Sequence, residues 1–159
     1  MILLLLACSG DEGPQGLGGD YRDYLAPDAQ YELVAREDSG AVEQVWLLRI
    51  EEGTWTLRDG DRWRDANDLA QFEQSTEEGL RLDEYRILPE RVEAGASFEG
   101  GHVEALEATQ VWYGLFEAAV TVQLDEGPLA GRQVFAPGIG PIVLSFDGEE
   151  RELALYEWL

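Results

Sequence analysis

The stretch that decides the fold reads Gln44-Val-Trp-Leu-Leu-Arg-Ile50-Glu-Glu-Gly53-Thr-Trp-Thr-Leu57. Two runs rich in β-branched and aromatic residues flank Glu52-Gly53, a pattern typical of a β-hairpin with a two-residue loop. Because side chains alternate between the two faces of a strand, such a loop sets Ile50 opposite Trp55 and Leu48 opposite Leu57. The polar residues between them then share the other face. The stretch therefore predicts two antiparallel strands with one apolar and one polar face.

The next turn signal, Asp59-Gly60-Asp61, follows at once. A three-residue loop there places Trp63 opposite Leu57 and continues the same apolar face. We therefore expect a third strand beside the first hairpin.

A last hairpin is predicted near the carboxy end, where two apolar runs flank residues 147–150. A two-residue loop would place Leu144 against Arg151, whereas a four-residue loop places it against Leu153. The hydrophobic pattern favours the four-residue loop, because it keeps the apolar residues of both strands on one face.

The rest of the chain also favours strands. Residues 116–124 alternate between apolar and polar side chains, which indicates a half-buried strand, and the neighbours of Val103–Tyr113 favour a strand there too. One short helix is predicted over 65–73, since Asp65 or Asn67 can cap its first turn. The predicted fold is mainly β, a curved antiparallel sheet (half-barrel or barrel-like) with at most one or two short helices, in a single domain over residues 21–159.

The amino-acid composition limits the classes of partner that the chain is expected to bind. The chain has 159 residues, 45% of them hydrophobic, and a formal net charge of −22 from 33 acidic and 11 basic residues. All of the basic residues are Arg. Nucleic acid is excluded as an expected partner, because binding to it depends on cations that neutralise phosphates. Anionic headgroups should also repel the domain, so we expect it to touch a membrane only through an anchor.

The amino-terminal residues predict that anchor. Apolar residues 2–7 are too few to span a bilayer and are typical of the end of a signal peptide, so we assign residues 1–7 to a signal-peptide remnant. Leu5-Leu6-Ala7-Cys8 resembles the bacterial lipobox, which implies that Cys8 becomes the first mature residue and carries acyl chains such as palmitate. No Lys or Arg precedes the run, so we expect the native start to lie upstream or the chain to be truncated. The alternative is a buried strand with an ordinary core cysteine.

Residues 8–20 predict a tether behind the lipidated cysteine. This segment is rich in Gly and acidic residues and has too few apolar residues to offset its ordering entropy. The lipobox resemblance also implies that the protein is localised in the bacterial cell envelope. Ser9 stands where Asp tends to retain lipoproteins at the inner membrane, which favours the outer membrane.

No set of catalytic or metal-binding residues emerges. His102 is the only histidine, follows Gly100-Gly101 and reads as a solvated loop residue, so no nucleophilic triad is expected. The acidic stretch 59–68 suggests a calcium loop, but Ala66 and Phe72 stand where the turn glycine and the bidentate glutamate belong. Nothing singles out two carboxylates for a glycosidase. The sequence predicts no catalytic residues, no metal and no cofactor.

The carboxy-terminal run Phe135-Ala136-Pro137-Gly138-Ile139-Gly140 resembles an aromatic-Ala-x-Gly-Val-Gly motif of uncharacterised bacterial secreted lipoproteins. The resemblance extends over most of residues 21–156, although the proline of the group's preceding strand entry is missing here. It implies a curved antiparallel sheet like the half-barrel of lipoprotein carriers, and it implies no activity. Gly138 and Gly140 are expected to adopt backbone angles closed to other residues.

The aromatic face of the first strands allows two functions. Trp46, Trp55 and Trp63 are predicted to share one face, which reads as the core or, in a partly filled half-barrel, as a binding surface for an acyl chain. The sequence thus predicts a non-enzymatic, membrane-anchored structural or interaction module of the cell envelope. The alternative is a carrier that holds a lipid or small apolar ligand in the concave face. The identity of a protein or lipid partner does not follow from the residues.

Overall fold

The computed structural model describes residues 18–35, 45–59, 62–63 and 72–159. Within them the chain forms one 3₁₀ turn, Tyr21–Tyr24, and fifteen β-strands. The strands are β1 Gly19–Asp20, β2 Ala29–Val34, β3 Val45–Glu51, β4 Thr54–Asp59, β5 Arg62–Trp63, β6 Phe72–Ser75, β7 Leu80–Leu82, β8 Tyr85–Leu88, β9 Arg91–Val92, β10 Ser97–Phe98, β11 Gly101–Gln110, β12 Leu115–Leu124, β13 Gly131–Ala136, β14 Gly140–Phe146 and β15 Glu149–Trp158.

Thirteen of these strands form one sheet that nearly closes into a barrel. Hydrogen bonds link them in the order β10-β11-β12-β13-β14-β15-β2-β3-β4-β6-β7-β8, and β5 pairs with β4 beside this path. The last strand, β8, also contacts β11 and β12 near the start of the path. The remaining strands, β1 and β9, pair with each other. The predicted class, a curved barrel-like antiparallel sheet with little helix, is confirmed.

The register of the first hairpin is the predicted one. β3 and β4 pair Ile50 with Trp55 and Leu48 with Leu57, and all four side chains are buried. Glu52 and Gly53 have φ angles of 50° and 77°. Positive φ at both loop positions gives a twist that matches the twist of the flanking strands, so the two-residue loop is favoured.

The register of the second hairpin was predicted wrongly. Trp63 pairs with Arg58 rather than with Leu57. Asp59, assigned to the loop, is the last residue of β4 and pairs with Arg62. On this edge of β4 the apolar partner of Trp55 is Phe72 of β6, so the apolar face continues through β6.

The loop of the last hairpin was also predicted wrongly. Leu144 pairs with Arg151 across a two-residue loop whose residues, Asp147 and Gly148, have φ angles of 49° and 81°. The hydrophobic pattern misled because every residue of β14 is buried, so the strand has no polar face to set the register. The Arg151 guanidinium lies 4.8 Å from the centroid of the Trp46 ring, which accommodates the cation.

Other predictions met mixed outcomes. The strand over 116–124 is confirmed by β12, and the strand predicted over Val103–Tyr113 is present as far as Gln110. The predicted helix is wrong at Phe72 and Glu73, which belong to β6. Its earlier residues lie outside the described part of the chain.

Residues 18–28 pack across one end of the barrel, which we call the capped end. Asp20, assigned to the tether, pairs in β1 with Arg91 of β9. Its carboxylate accepts from the backbone and the guanidinium of Arg22, which lowers the pKa of Asp20 to about 2. The Asp23 carbonyl accepts from Gly138 at 2.8 Å, and the Asp28 carboxylate accepts from the Glu52 amide at 2.8 Å. These bonds join the segment to two turns of the barrel.

Gly140 lets this segment approach closely. Its φ is 88°, and a Cβ built there would lie 2.7 Å from the Ala26 Cα. Gly138 has a φ of 69° but open space around it. The expectation that both glycines adopt angles unfavourable for other residues is confirmed.

Candidate functional site

The aromatic residues of the first hairpin belong to the core. Trp46 and Trp55 are each 2% exposed, and Trp46 packs edge-on against Phe146 with ring centroids 6.4 Å apart. The side chain of Trp63 lies outside the described residues. For Trp46 and Trp55 the core interpretation is the right one.

An apolar void in the described part of the barrel interior has a volume of about 10 Å³. It is lined by Leu48, Trp55, Leu57, Phe72, Leu129, Leu144 and Phe146. A single buried water needs at least roughly 10 to 15 Å³ measured in this way. The void is therefore far too small for an acyl chain.

A different set of apolar residues is exposed. The exposed large hydrophobic residues of the described chain come from two short segments, 112–115 and 155–159, and are Trp112, Tyr113, Leu115, Leu155, Trp158 and Leu159. The Tyr113 amide donates to the Leu153 carbonyl at 2.7 Å, which brings the two segments together at the capped end. Aromatic side chains gathered on a surface mark interaction sites more often than scattered ones do.

The β11–β12 hairpin reaches this position because it projects beyond its neighbour. β12 pairs with β13 only from Val120 to Leu124, so residues 115–119 extend past that strand. The pairing of β11 with β12 is irregular at two places, and such bulges bend and twist a strand pair. Val111 is 1% exposed and anchors the hairpin tip in the core. The tip can therefore cross β13 and β14 to contact β15.

We call the surface formed by Trp112, Tyr113, Phe116, Tyr156 and Trp158 the aromatic patch. Tyr113 stacks on Phe116 with centroids 6.2 Å apart and an interplanar angle of 21°. Tyr156 meets Trp158 edge-on at 5.1 Å. The aromatic patch therefore contains one stacked ring pair and one edge-on ring pair.

Tyr31 lies beneath the aromatic patch and holds Tyr156. The two rings are 5.1 Å apart, and the Tyr31 hydroxyl donates to the Ile139 carbonyl at 2.7 Å. The Tyr156 hydroxyl is buried yet makes no hydrogen bond with the described residues. Burial, and to a smaller extent Tyr113, raises the pKa of Tyr156 to about 12, and burial also raises that of Tyr31. Both phenols are therefore neutral at physiological pH.

The segments that form the aromatic patch carry acidic residues and no Lys or Arg. No basic residue occurs between Arg91 and Arg132 other than His102, and none follows Arg151. Glu107, Glu117 and Glu157 are exposed. Glu107 pairs with Ala119, which places it with Glu117 on the outer face of the projecting hairpin. Side chains alternate along a strand, so Glu117 and Glu157 lie on the sheet face opposite Phe116, Tyr156 and Trp158.

The other predicted site residues do not join this patch. Cys8 lies outside the described residues. His102 was predicted wrongly as a loop residue; it lies in β11, paired with Gln123 and Ser97, and is half-buried. Within the described ranges, no three metal-ligating side chains come close enough to hold an ion. The calcium loop suggested over 59–68 falls largely outside those ranges.

Nor do the described residues contain a helix with the length and apolar character needed to cross a membrane.

No family model, curated protein or solved structure matches the chain. The resemblance to secreted lipoproteins therefore stays a prediction, and the site is argued from its own geometry. The sequence analysis missed the aromatic patch. One signal was available: Trp112-Tyr113 precedes Gly114 at a predicted strand boundary, where polar residues are the rule.

Proposed function

We propose that this protein is a non-enzymatic, lipid-anchored module of the bacterial cell envelope that binds a partner through its aromatic patch. The observation that carries this proposal is the gathering of the exposed aromatic side chains at one end of the barrel. Trp and Tyr supply much of the binding energy at protein interfaces because they bury large rigid surfaces at low entropic cost.

The anchor would hold this surface near the membrane without fixing its direction. As the predicted tether, the roughly ten residues between Cys8 and Gly18 would reach about 17 to 20 Å. Two or more acyl chains on Cys8 would give stable attachment, because a single chain binds a bilayer only weakly. The domain would therefore stay close to the bilayer surface and could bind a partner there.

The carrier alternative receives no support from the apolar void beside Trp55, whose volume is about 10 Å³. A lipid carrier needs a cavity of several hundred Å³. Catalysis lacks support in the same sense, because no described group combines a nucleophile, a base and a pocket. Of the three functions, the binding module therefore has the most support.

Photo-crosslinking in the cells that express the full-length protein tests the binding function. We would place a photoreactive phenylalanine at Trp112 or at Trp158, and as a control at Asp125, which is exposed beyond the other end of β12. Ten residues of strand separate the two ends by about 30 Å. We expect one discrete adduct of the same partner from both aromatic positions and none from position 125. Equal adducts from all three positions, or none, would contradict the proposal.

Metabolic labelling with an alkyne fatty acid tests the anchor separately. We expect label on the wild-type chain and its loss in Cys8→Ser, together with release of the protein from the membrane fraction. Unlabelled wild type, or label that persists in Cys8→Ser, would remove the anchor from the proposal and leave the aromatic patch to be judged on its own.

A further inference from the structure

We propose that the partner of the aromatic patch is the bilayer that holds the anchor, with the exposed rings lying at the interface between zwitterionic headgroups and acyl chains. This inference rests on the proposed function, because it takes the aromatic patch to be a binding surface and Cys8 to be lipidated. It adds the chemical class of the partner and a fixed direction of the domain at the membrane.

The first argument is the place where the chain leaves the described structure. Gly18 lies at the capped end, where its amide donates to the Tyr24 hydroxyl at 3.3 Å. It also lies beside β11, because a Cβ built at Gly18 would be 3.4 Å from the Leu106 Cδ1. The predicted tether to Cys8 therefore starts at the end of the barrel that carries the aromatic patch.

The distances allow the anchor and the aromatic patch to reach one bilayer together. β11 continues for four residues beyond Leu106, to Gln110, so the hairpin tip projects about 13 Å past Gly18. The predicted tether would reach about 17 to 20 Å, which is enough to span this projection. Because the anchor keeps the bilayer at a high effective concentration, even a weak affinity of the rings for lipid would orient the domain.

The second argument is the chemistry of the hairpin tip. Residues 111–116 read Val-Trp-Tyr-Gly-Leu-Phe and include no charged side chain. Trp112, Tyr113 and Leu115 are 46%, 51% and 59% exposed. Trp and Tyr concentrate at membrane–water interfaces, because each has an apolar ring and one polar group that can stay hydrated. The tip can therefore enter the interface without removing a charge from water.

The third argument is the position of the carboxylates. Glu117 and Glu157 lie on the sheet faces opposite Phe116 and Trp158, so they can stay in water while the rings contact lipid. The net charge of −22 repels anionic headgroups, as the composition predicts. Zwitterionic headgroups have no net charge and exert no such repulsion. The expected surface is therefore zwitterionic phospholipid.

Two other occupants fit less well. A protein with an apolar surface could cover the same rings, but it would not explain why they lie where the tether begins. A second copy of this chain would bring two strongly acidic molecules together, and like charges disfavour association. Both serve as outcomes of the test.

Fluorescence quenching in vesicles tests the proposal. The full-length protein, with an environment-sensitive fluorescent amino acid at position 112, is reconstituted into phosphatidylcholine vesicles that contain nitroxide-labelled lipid. The control carries the same amino acid at position 125. We expect a blue shift at position 112 and at least about threefold more quenching there than at 125, because the length of β12 separates the two positions by about 30 Å. Flotation of the same samples measures whether the protein is attached to the vesicles.

Two substitutions in β15 separate the aromatic patch from exposed apolar surface in general. Trp158→Ala removes a ring of the aromatic patch, whereas Leu155→Ala removes a 40% exposed side chain from the opposite face of the strand. Transfer free energy grows with the apolar area removed from water, so Trp158→Ala should lose at least about half of the quenching at position 112 and Leu155→Ala less than about a fifth.

Three outcomes would overturn the proposal. They are equal quenching at positions 112 and 125, equal losses in Trp158→Ala and Leu155→Ala, and stronger quenching at 112 when anionic phosphatidylglycerol replaces part of the phosphatidylcholine at low salt.

The crosslinks in cells distinguish a failure of this proposal from a failure of the proposed function. If the bilayer is the partner, the adduct from positions 112 and 158 is a phospholipid. If instead the protein floats with the vesicles without quenching at 112, and position 112 gives an adduct with a protein or with a second copy of this chain, the lipid proposal is wrong and the binding function stands.

Discussion

Tryptophan is buried inside the barrel but exposed at its capped end. Inside, Trp46 packs against Phe146 and Arg151, and its ring is 2% exposed. At the capped end, Trp158 meets Tyr156 edge-on and is 65% exposed. Removing apolar area from water is the main stabilising contribution in folding, so the two tryptophans should differ sharply in what they contribute to stability.

That contrast separates the residues that hold the domain together from those free to bind. An aromatic residue that already fills the core cannot also fill a partner's pocket. An exposed one adds little to the folded state and retains its apolar surface for an interface. Substitutions in the two regions can therefore test this distinction.

The largest effect is expected from Trp46→Ala. This change leaves a cavity and removes the ring that faces the Arg151 guanidinium, so it should lower the free energy of unfolding by about 3 to 5 kcal/mol. Trp158→Ala should lower it by less than about 0.5 kcal/mol, because substitutions at exposed sites usually change stability little. Urea denaturation followed by circular dichroism measures both. Similar losses in the two variants would show that Trp158 is a structural residue.

A smaller effect is expected where residues 18–28 cover the barrel. Gly140→Ala should lower the free energy of unfolding by about 2 to 4 kcal/mol. Position 140 has a positive φ, and the new Cβ would lie 2.7 Å from the Ala26 Cα. Gly138→Ala shares the positive φ but has open space, so it should cost about 1 kcal/mol. Equal unfolding free energies for the two variants would mean that residues 18–28 are not held against the barrel as described.

The first hairpin could be predicted in detail because two independent signals agreed. Its strands have one polar and one apolar face, and Glu52-Gly53 tolerates the positive φ that a two-residue loop requires. In the last hairpin the two signals disagreed. Asp147-Gly148 suits the two-residue loop that forms, whereas the apolar pattern of the fully buried β14 favours a longer one. Loop chemistry is the better guide when a strand is buried on both faces.

The aromatic patch could not be predicted because its decisive contact is far apart in sequence. Tyr113 and Leu153 are joined by a hydrogen bond across two intervening strands. Strand alternation shows which residues share a face but not how far a hairpin projects beyond its neighbour. The aromatic pair Trp112-Tyr113 beside Gly114 was the one local sign that this hairpin tip is unusual.

The smallest effects are expected from the two tyrosines where the core meets the aromatic patch. Tyr31→Phe removes the hydrogen bond to the Ile139 carbonyl and should cost about 1 kcal/mol. Tyr156→Phe removes a buried hydroxyl that has no hydrogen bond to the described residues, so it should be neutral or slightly stabilising. A clear loss of stability in Tyr156→Phe would show that this hydroxyl has a hydrogen-bond partner.

The pH dependence of stability gives the finest test of Tyr156. Its pKa is raised from 10.0 to about 12, so between these values the folded protein keeps a proton that the unfolded chain releases. This contribution to stability is complete below about pH 10 and is lost as the pH rises towards 12. Stability measured by urea denaturation should therefore fall over this range, and it should fall less steeply in Tyr156→Phe. An unchanged slope in that variant would mean that the Tyr156 phenol is open to water and not buried beside Tyr31.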